Sequence, residues 1–260
     1  MSSSPRPQFR AIPILTYHQI AKAPPKGTAF RSLCVSPERF ASQMRWLKRL
    51  GYQGLSMSEL MPYLLEQKEG KVVGITFDDG YLNNLTHAMP VLQALGFSST
   101  VYAVSSLLGQ SNVWDHGVGV EPSTLMNEAE LRAWAQGGQE VGSHTLHHAH
   151  LSALDSDAAR AEIVQSKTQL EEVLSSAVTQ FCYPYGEFDA SHISMVEDAG
   201  YLAATTTARS RVIQPLENMG LSRFEVPRVP VVRSTHWIQF LMKICTAYED
   251  RRFIQEGLHA

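Results

Sequence analysis

Asp78 and Asp79 stand side by side at the end of the apolar run Val72-Val73-Gly74-Ile75, led in by Thr76-Phe77 and followed by Gly80. Two adjacent carboxylates at the mouth of a buried strand repel each other and lose water, so a cation or a proton-transfer role is needed to offset the cost. A second segment, Glu140 to His150, carries His144, His147, His148 and His150, four of the chain's ten histidines. Imidazole and carboxylate together suit zinc, and three protein ligands with one open position make the catalytic form of such a site. The competing reading is a polar loop of solvated histidines. Because both clusters follow strand-like runs, we expect a metal site.

Those residues need a frame that brings them together. Short apolar runs alternate with longer amphipathic ones, which argues βα units around a parallel sheet. Seven strands are expected: 12–17, 72–76, 99–103, 139–143, 179–183, 202–206 and 226–232. Phe40, Met44, Leu47 and Leu50 mark a helix stopped by Gly51. Asn127 with Glu130 three residues later reads as a capped helix start, that helix ending at Gly137-Gly138. A third helix is expected over 156–174, with Ile163, Leu170 and Leu174 inward. Segments 21–37 and 105–123 read as long loops, a length that is usually functional.

One regularity ties the frame to the chemistry. His18, Asp78 and Asp79, Trp114 and Asp115, His144 and His148, and Tyr183 to Gly186 each follow a different expected strand. In a parallel barrel such positions converge on the carboxyl-end rim, where enzymes of this architecture place their reactive groups. The expected fold is therefore α/β, one domain over 1–260 with a core of about 12–232 and a C-terminal helix over 235–255.

Composition agrees with that class. The chain has 260 residues, 44% hydrophobic and 18% charged, which describes an ordinary globular protein. A net charge of -3 with no basic stripe gives no reason to expect a nucleic-acid partner. Cys34, Cys182 and Cys245 form neither a metal-type spacing nor a disulfide framework, which fits a reducing compartment. No secretory h-region and no stretch long enough to span a bilayer is visible, so a cytoplasmic address is expected.

The two clusters carry a resemblance. Thr76-Phe77-Asp78-Asp79-Gly80 is similar to the first motif, and His144-Thr145-Leu146-His147-His148 to the second, of the polysaccharide deacetylases. These are also called family 4 carbohydrate esterases or the NodB-homology domain. The resemblance covers roughly Ile12 to Val232 and implies a distorted barrel of seven or eight β/α units. It further implies Asp79, His144 and His148 as metal ligands and Asp78 as catalytic base.

The family's third motif, close to Arg-x-Pro-Tyr-Gly, reads here Cys182-Tyr183-Pro184-Tyr185-Gly186. The resemblance assigns Tyr185 an oxyanion-binding backbone N–H and a ring on the substrate groove. The Arg that steadies the catalytic Asp is missing, and a Cys cannot supply its charge. Arg228, a guanidinium inside the apolar run Val226 to Val231, is the replacement candidate. Its alternative is a surface Arg on an edge strand flanked by prolines. The family's C-terminal Leu-x-His, which supplies a general acid, is not found. Leu258-His259 lies in a tail, and His236 reads as helix-start polarity.

Trp114 with Asp115 looks like a sugar-stacking aromatic beside a polar neighbour, or else a Trp that pins its loop to the barrel. Tyr183, Pro184 and His18 join them as substrate-binding expectations. The pair Tyr17-His18 resembles branches of the family that act on poly-N-acetylglucosamine, although a satisfied His at the barrel mouth fits equally. His147 and His150 are expected behind the ligands or on the surface.

The activity implied is metal-dependent removal of N-acetyl groups from N-acetylated sugars, with zinc first and cobalt or nickel as alternatives. Hydrolysis of another non-peptide C–N bond is the second reading. A catalytically decayed carbohydrate-binding protein, suggested by the missing Arg and general acid, is the third.

Overall fold

In the computed structural model, which describes residues 11–120 and 122–250, seven parallel strands close into a barrel. In chain order the strands are β1 (Ile14–Tyr17), β2 (Gln53–Leu55), β3 (Val72–Phe77), β4 (Thr100–Ala103), β5 (Glu140–Ser143), β6 (Gln180–Cys182), β7 (Ala203–Arg209) and β8 (Val226–Pro230). Pairing runs β3-β4-β5-β6-β7-β8-β1, and β1 returns to β3 with Ile14 opposite Gly74 and Tyr17 opposite Phe77. The eighth strand, β2, lies along only the first half of β3, opposite Val72 to Gly74, and β4 takes over at Thr76. The arrangement is a (β/α) barrel of the distorted kind expected.

All seven expected barrel strands are present, with ends shifted by at most three residues. Pro13, which has no N–H to donate, separates Ala11–Ile12 from β1. Freed in this way, Ala11–Ile12 pairs antiparallel with Val212–Ile213 instead. The three-residue β2 was not foreseen, being too short to show a period.

Helices cover the outside. Of the expected ones, α1 (Pro37–Arg49) turns Phe40, Met44 and Leu47 inward, and Ser36 caps it by accepting the Arg39 N–H. The helix α4 (Glu128–Gln136) opens with the Asn127/Glu130 capping box. A third, α5 (Ser156–Leu174), has the bounds expected of it. The unexpected α2 (Met57–Leu64) contains Pro62, and α3 (Met89–Leu95) and α6 (Ala190–Asp198) complete the ring.

The C-terminal helix α7 (Trp237–Cys245) is shorter than the expected 235–255, because Thr246 turns to extended backbone. Residues 251–255 and Leu258-His259 lie outside the described residues. No helix among the described residues is long and apolar enough to cross a membrane.

The core sits between strands and helices. Every residue of β3 is buried, as in a strand covered on both faces, and Phe77 packs edge-on against Trp134 of α4 at 5.8 Å. Such a strand gives its C-terminal end a fixed position, and the acidic pair begins there.

Candidate active site and metal centre

The Asp78 N–H still donates to Tyr17 O, at 2.9 Å, so the β1–β3 ladder runs one residue past the strand proper. Strand geometry then stops. Asp79 has φ 74° and Gly80 φ 80°, and a Cβ on residue 80 would lie 3.3 Å from Ala103 Cα. Only glycine takes both that conformation and that contact without strain. A left-handed turn therefore separates the two carboxylates, and they diverge.

Asp79 faces the histidine loop. Its Oδ1 is 3.5 Å from His144 Nε2 and 3.4 Å from His148 Nε2, and all three residues are buried. The ring of His144 is fixed from behind, Nδ1 lying 2.7 Å from the carbonyl of Cys182. Donation of Nδ1–H to that carbonyl leaves the Nε2 lone pair aimed at Asp79, the tautomer a metal requires. One ligand atom from each of Asp79, His144 and His148 falls within 4.8 Å of the others. The donor set and its orientation fit a divalent cation.

Charge states agree. Burial alone would raise the Asp79 pKa, but His148, His18 and His144 hold it far below the usual carboxylate range. Burial lowers the His148 pKa, so its imidazole is neutral near neutral pH. For His144 burial also pulls downward, yet Cys182 and the two carboxylates outweigh it and lift the pKa to about 9. Ion capture must therefore displace the proton on His144. Apparent metal affinity is expected to weaken by about tenfold per pH unit from 9 down towards neutrality. Competition with a chromophoric chelator would measure this, and a pH-independent affinity would contradict it.

The loop that carries the histidines is held by a residue the sequence reading passed over. Thr145 and His148 have φ of 67° and 58°, so the chain doubles back on itself. Glu162 of α5 accepts the Leu146 and His147 N–H groups at 3.0 Å each, and its other oxygen is 2.7 Å from His147 Nδ1. A signal existed in the pattern of α5. Glu162 stands on the inward stripe with Ala159, Ile163, Ser166 and Leu170, where an acid needs partners. His147 thus supports the ligand loop from outside, and the exposed His150 lies 3.1 Å from Glu187.

Asp78 turns the other way, into the barrel, and meets Arg228. Nη1 donates to Oδ1 at 2.6 Å and Nη2 to Oδ2 at 2.8 Å, a bidentate pair with Arg228 only 1% exposed. The remaining donors go to Thr76 Oγ1, Thr206 O and Cys182 Sγ at 3.1, 3.0 and 3.2 Å. All five N–H groups of the guanidinium are satisfied. The edge-strand alternative fails, since β8 is paired on both sides. The Cys at the third-motif Arg position is an acceptor for an Arg that arrives from β8. Burial pushes the Asp78 pKa up, but Arg228, then His18 and His144, bring it below the ordinary value.

Both carboxylates line a cavity of about 500 Å³, within the usual size range of small-ligand sites. His18, Trp114, Asp115, Tyr183 and Tyr185 also line it. His18 Nε2 is 3.9 Å from Asp78 Oδ2, and the side chain is 26% exposed. Asp115 is fixed by Asn112 Nδ2 at 2.9 Å, and burial with the Asp79 charge raises its pKa. Tyr185, at φ 59°, packs edge-on against His148 at 4.6 Å and stacks on His150 at 3.7 Å.

Trp114 and Pro184 differ in how they relate to the cavity. Trp114 lies nearly parallel to His148, with centroids 4.5 Å apart, so one indole face is committed to the metal loop. That contact pins the Trp114 loop to the histidine loop, while Trp114 still lines the cavity. Pro184 is buried where it opens the turn Pro184–Gly186 and does not line the cavity. Tyr81, unforeseen, is buried on the cavity wall beside Asp79, and burial with that negative charge raises its pKa strongly.

Comparison with known proteins places this geometry. A family model described as polysaccharide deacetylase matches residues 66–204. The chain is 30% identical over 198 residues to the Bacillus subtilis protein YxkH, covering 75% of this chain and 64% of that protein's length. It is 24% identical over 252 residues to a poly-beta-1,6-N-acetyl-D-glucosamine N-deacetylase of Staphylococcus epidermidis, covering 92% of this chain and 84% of that one. The fold matches the Streptococcus pyogenes deacetylase PplD in complex with acetate at a TM-score of 0.78, with 23% identity over 91% of this chain and 99% of that one. It also matches the Bacillus cereus polysaccharide deacetylase BC0361 at 0.74, with 27% identity over 91% of this chain and 69% of that one. Two adjacent aspartates with separate partners and a paired-histidine loop thus sit in a matched span of more than half the sequence, and the chain belongs to the polysaccharide deacetylase family.

Proposed function

We propose that the protein is a metal-dependent hydrolase that removes N-acetyl groups from N-acetylated sugars, N-acetylglucosamine-like units of a poly- or oligosaccharide. The observation that carries this reading is the division of the acidic pair, Asp79 against two imidazole nitrogens and Asp78 against a guanidinium. Asp79, His144 and His148 would hold the ion, zinc best suiting this donor set and cobalt or nickel also fitting it. When bound, a divalent ion supplies Lewis acidity towards the acetyl carbonyl and lowers the pKa of water.

The chain's own residues do the rest. Asp78 is kept ionised by Arg228 and has lone pairs beyond the two the guanidinium uses, so it can take the proton of the attacking water. His18 is the cavity histidine outside the Asp79 cluster, and from beside Asp78 it can return a proton to the departing nitrogen. Tyr185 would place its backbone N–H at the developing oxyanion. Asp115 offers a fixed carboxylate to a sugar hydroxyl.

The decayed-binder reading rested on a missing Arg and a missing acid. Arg228 stands in the first place, and His18 is available for the second.

Acetate release from N-acetylglucosamine oligomers by the zinc-loaded protein tests the proposal. Chelation should abolish release, and added zinc, cobalt or nickel should restore it. Turnover of small cyclic amides with none of the saccharides would move the activity to the other C–N bond class, and release indifferent to chelation would remove the metal.

A further inference from the structure

One face of Trp114 is committed to His148, so a freer aromatic ring on the cavity wall is the better candidate to receive a further sugar ring. Five aromatic side chains line it: Phe30, Tyr81, Trp114, Tyr183 and Tyr185. Tyr81 is buried, Tyr183 is buried and stacked on Phe188 at 4.6 Å, and Tyr185 is stacked on His150 at 3.7 Å. Among the described residues only Phe30 of the five is more than half exposed, at 52%, and it has neither a ring partner nor any cation over its ring.

The backbone under Phe30 is held in a form that aromatic residues avoid. Its φ is 51° and ψ 13°, the left-handed region, where a bulky side chain is an outlier. Strain of this kind persists only where the surroundings impose it, and it gathers at ligand sites. Here the surroundings are explicit. Arg31 Nε donates to Pro24 O at 2.6 Å, the Leu33 N–H donates to Phe30 O at 2.8 Å, and the Arg233 N–H donates to Ser32 O at 2.7 Å. Those three bonds tie the loop to itself and to the segment after β8. An apolar ring is thereby fixed on the wall of a cavity whose reactive groups are all polar.

We propose that Phe30 is the stacking platform for a pyranose next to the unit that bears the scissile acetamide, so that the substrate is a chain of sugars rather than a single one. The apolar face of a pyranose suits a free aromatic ring. Phe30 and Arg228 both fall outside residues 66–204, the span common to the family model. This assignment rests on the saccharide reading of the site, and its test separates the two.

A tetramer of β-1,6-linked N-acetylglucosamine and the monosaccharide are titrated into the Asp78→Asn protein by calorimetry, with and without Phe30→Ala. The tetramer is expected to bind more tightly than the monosaccharide. Phe30→Ala should weaken the tetramer by about tenfold, the scale of a lost aromatic contact, and Phe30→Trp should restore it. In the enzyme with Asp78 intact, the ratio of kcat/KM for tetramer over monosaccharide should fall by the same factor. Equal tetramer affinity with and without the ring, or a protein that does not distinguish tetramer from monosaccharide, overturns the platform. Ring-dependent binding of the tetramer without acetate release from any saccharide would instead sink the deacetylase reading and leave the platform standing.

Discussion

Replacing Asp78 by Asn is expected to lower kcat for acetate release by about a thousandfold, within the range that removal of a general base produces. KM should change far less, because in the proposed role the carboxylate acts on a water proton rather than on the sugar. Asn keeps one carbonyl oxygen for the Arg228 fork, so the protein should remain folded with reduced stability, which a denaturant titration would record. The Asp79, His144 and His148 cluster is untouched by this change, so metal stoichiometry should hold at wild-type level. A variant that has lost its metal as well as its rate would show that the two carboxylates are not functionally separate.

Arg228→Met should produce the second large effect, on both stability and pH dependence. Removing one partner of a buried pair leaves a charge without compensation and costs about 3–5 kcal/mol. The pH dependence follows from the direction of the Asp78 shift. In the wild type the folded pKa of Asp78 lies below its ordinary value, so the pair stabilises the protein above that ordinary value, and the contribution is lost as pH falls through the folded pKa. Without Arg228, burial dominates and Asp78 takes up a proton more readily. The stability gap between wild type and variant should therefore be widest near neutrality and narrow in acid. The acid limb of the kcat/KM profile should move to higher pH for the same reason. Unfolding curves and rate profiles that superimpose on those of the wild type would rule out Arg228 as the partner that keeps Asp78 ionised. The double variant Asp78→Asn/Arg228→Met should be less destabilised than the sum of the two single changes.

What was legible in the sequence was what the sequence holds close together. The Asp pair and the His pair each lie within a few residues, and each follows an apolar run. Arg228 could be singled out because a guanidinium in an apolar strand demands an acid, and the Asp78 carboxylate satisfies that demand at 2.6 Å. The helix α5 was readable to its ends from its period, and Asp155 caps its start by accepting the Ala158 N–H.

Features decided by contacts between distant segments were not legible. The inward place of Glu162 in α5 could signal a buried acid, but not its target, because the backbone N–H groups that it holds carry no sequence signature. Trp114 stacks one face on a histidine 34 positions further on, a contact its own segment does not announce. The strand β2 has three residues and α2 has an internal proline, so neither shows a period, and tertiary pairing alone establishes them. Phe30 lay in a segment read only as loop, because exposure and a left-handed backbone are properties of the folded chain.

The Asp78–Arg228 fork spans 150 positions, and β1 lies between the strands that carry its two ends. A ribosome delivers the acid long before the base that neutralises it. Until residue 228 is made, Asp78 lacks the guanidinium that it meets in the folded chain, and burying it without that partner would strand a bare charge. The strand that closes the barrel is therefore also the strand that supplies the partner of Asp78. A chain cut short before β8 forfeits the closing strand of the barrel and the partner of Asp78 together.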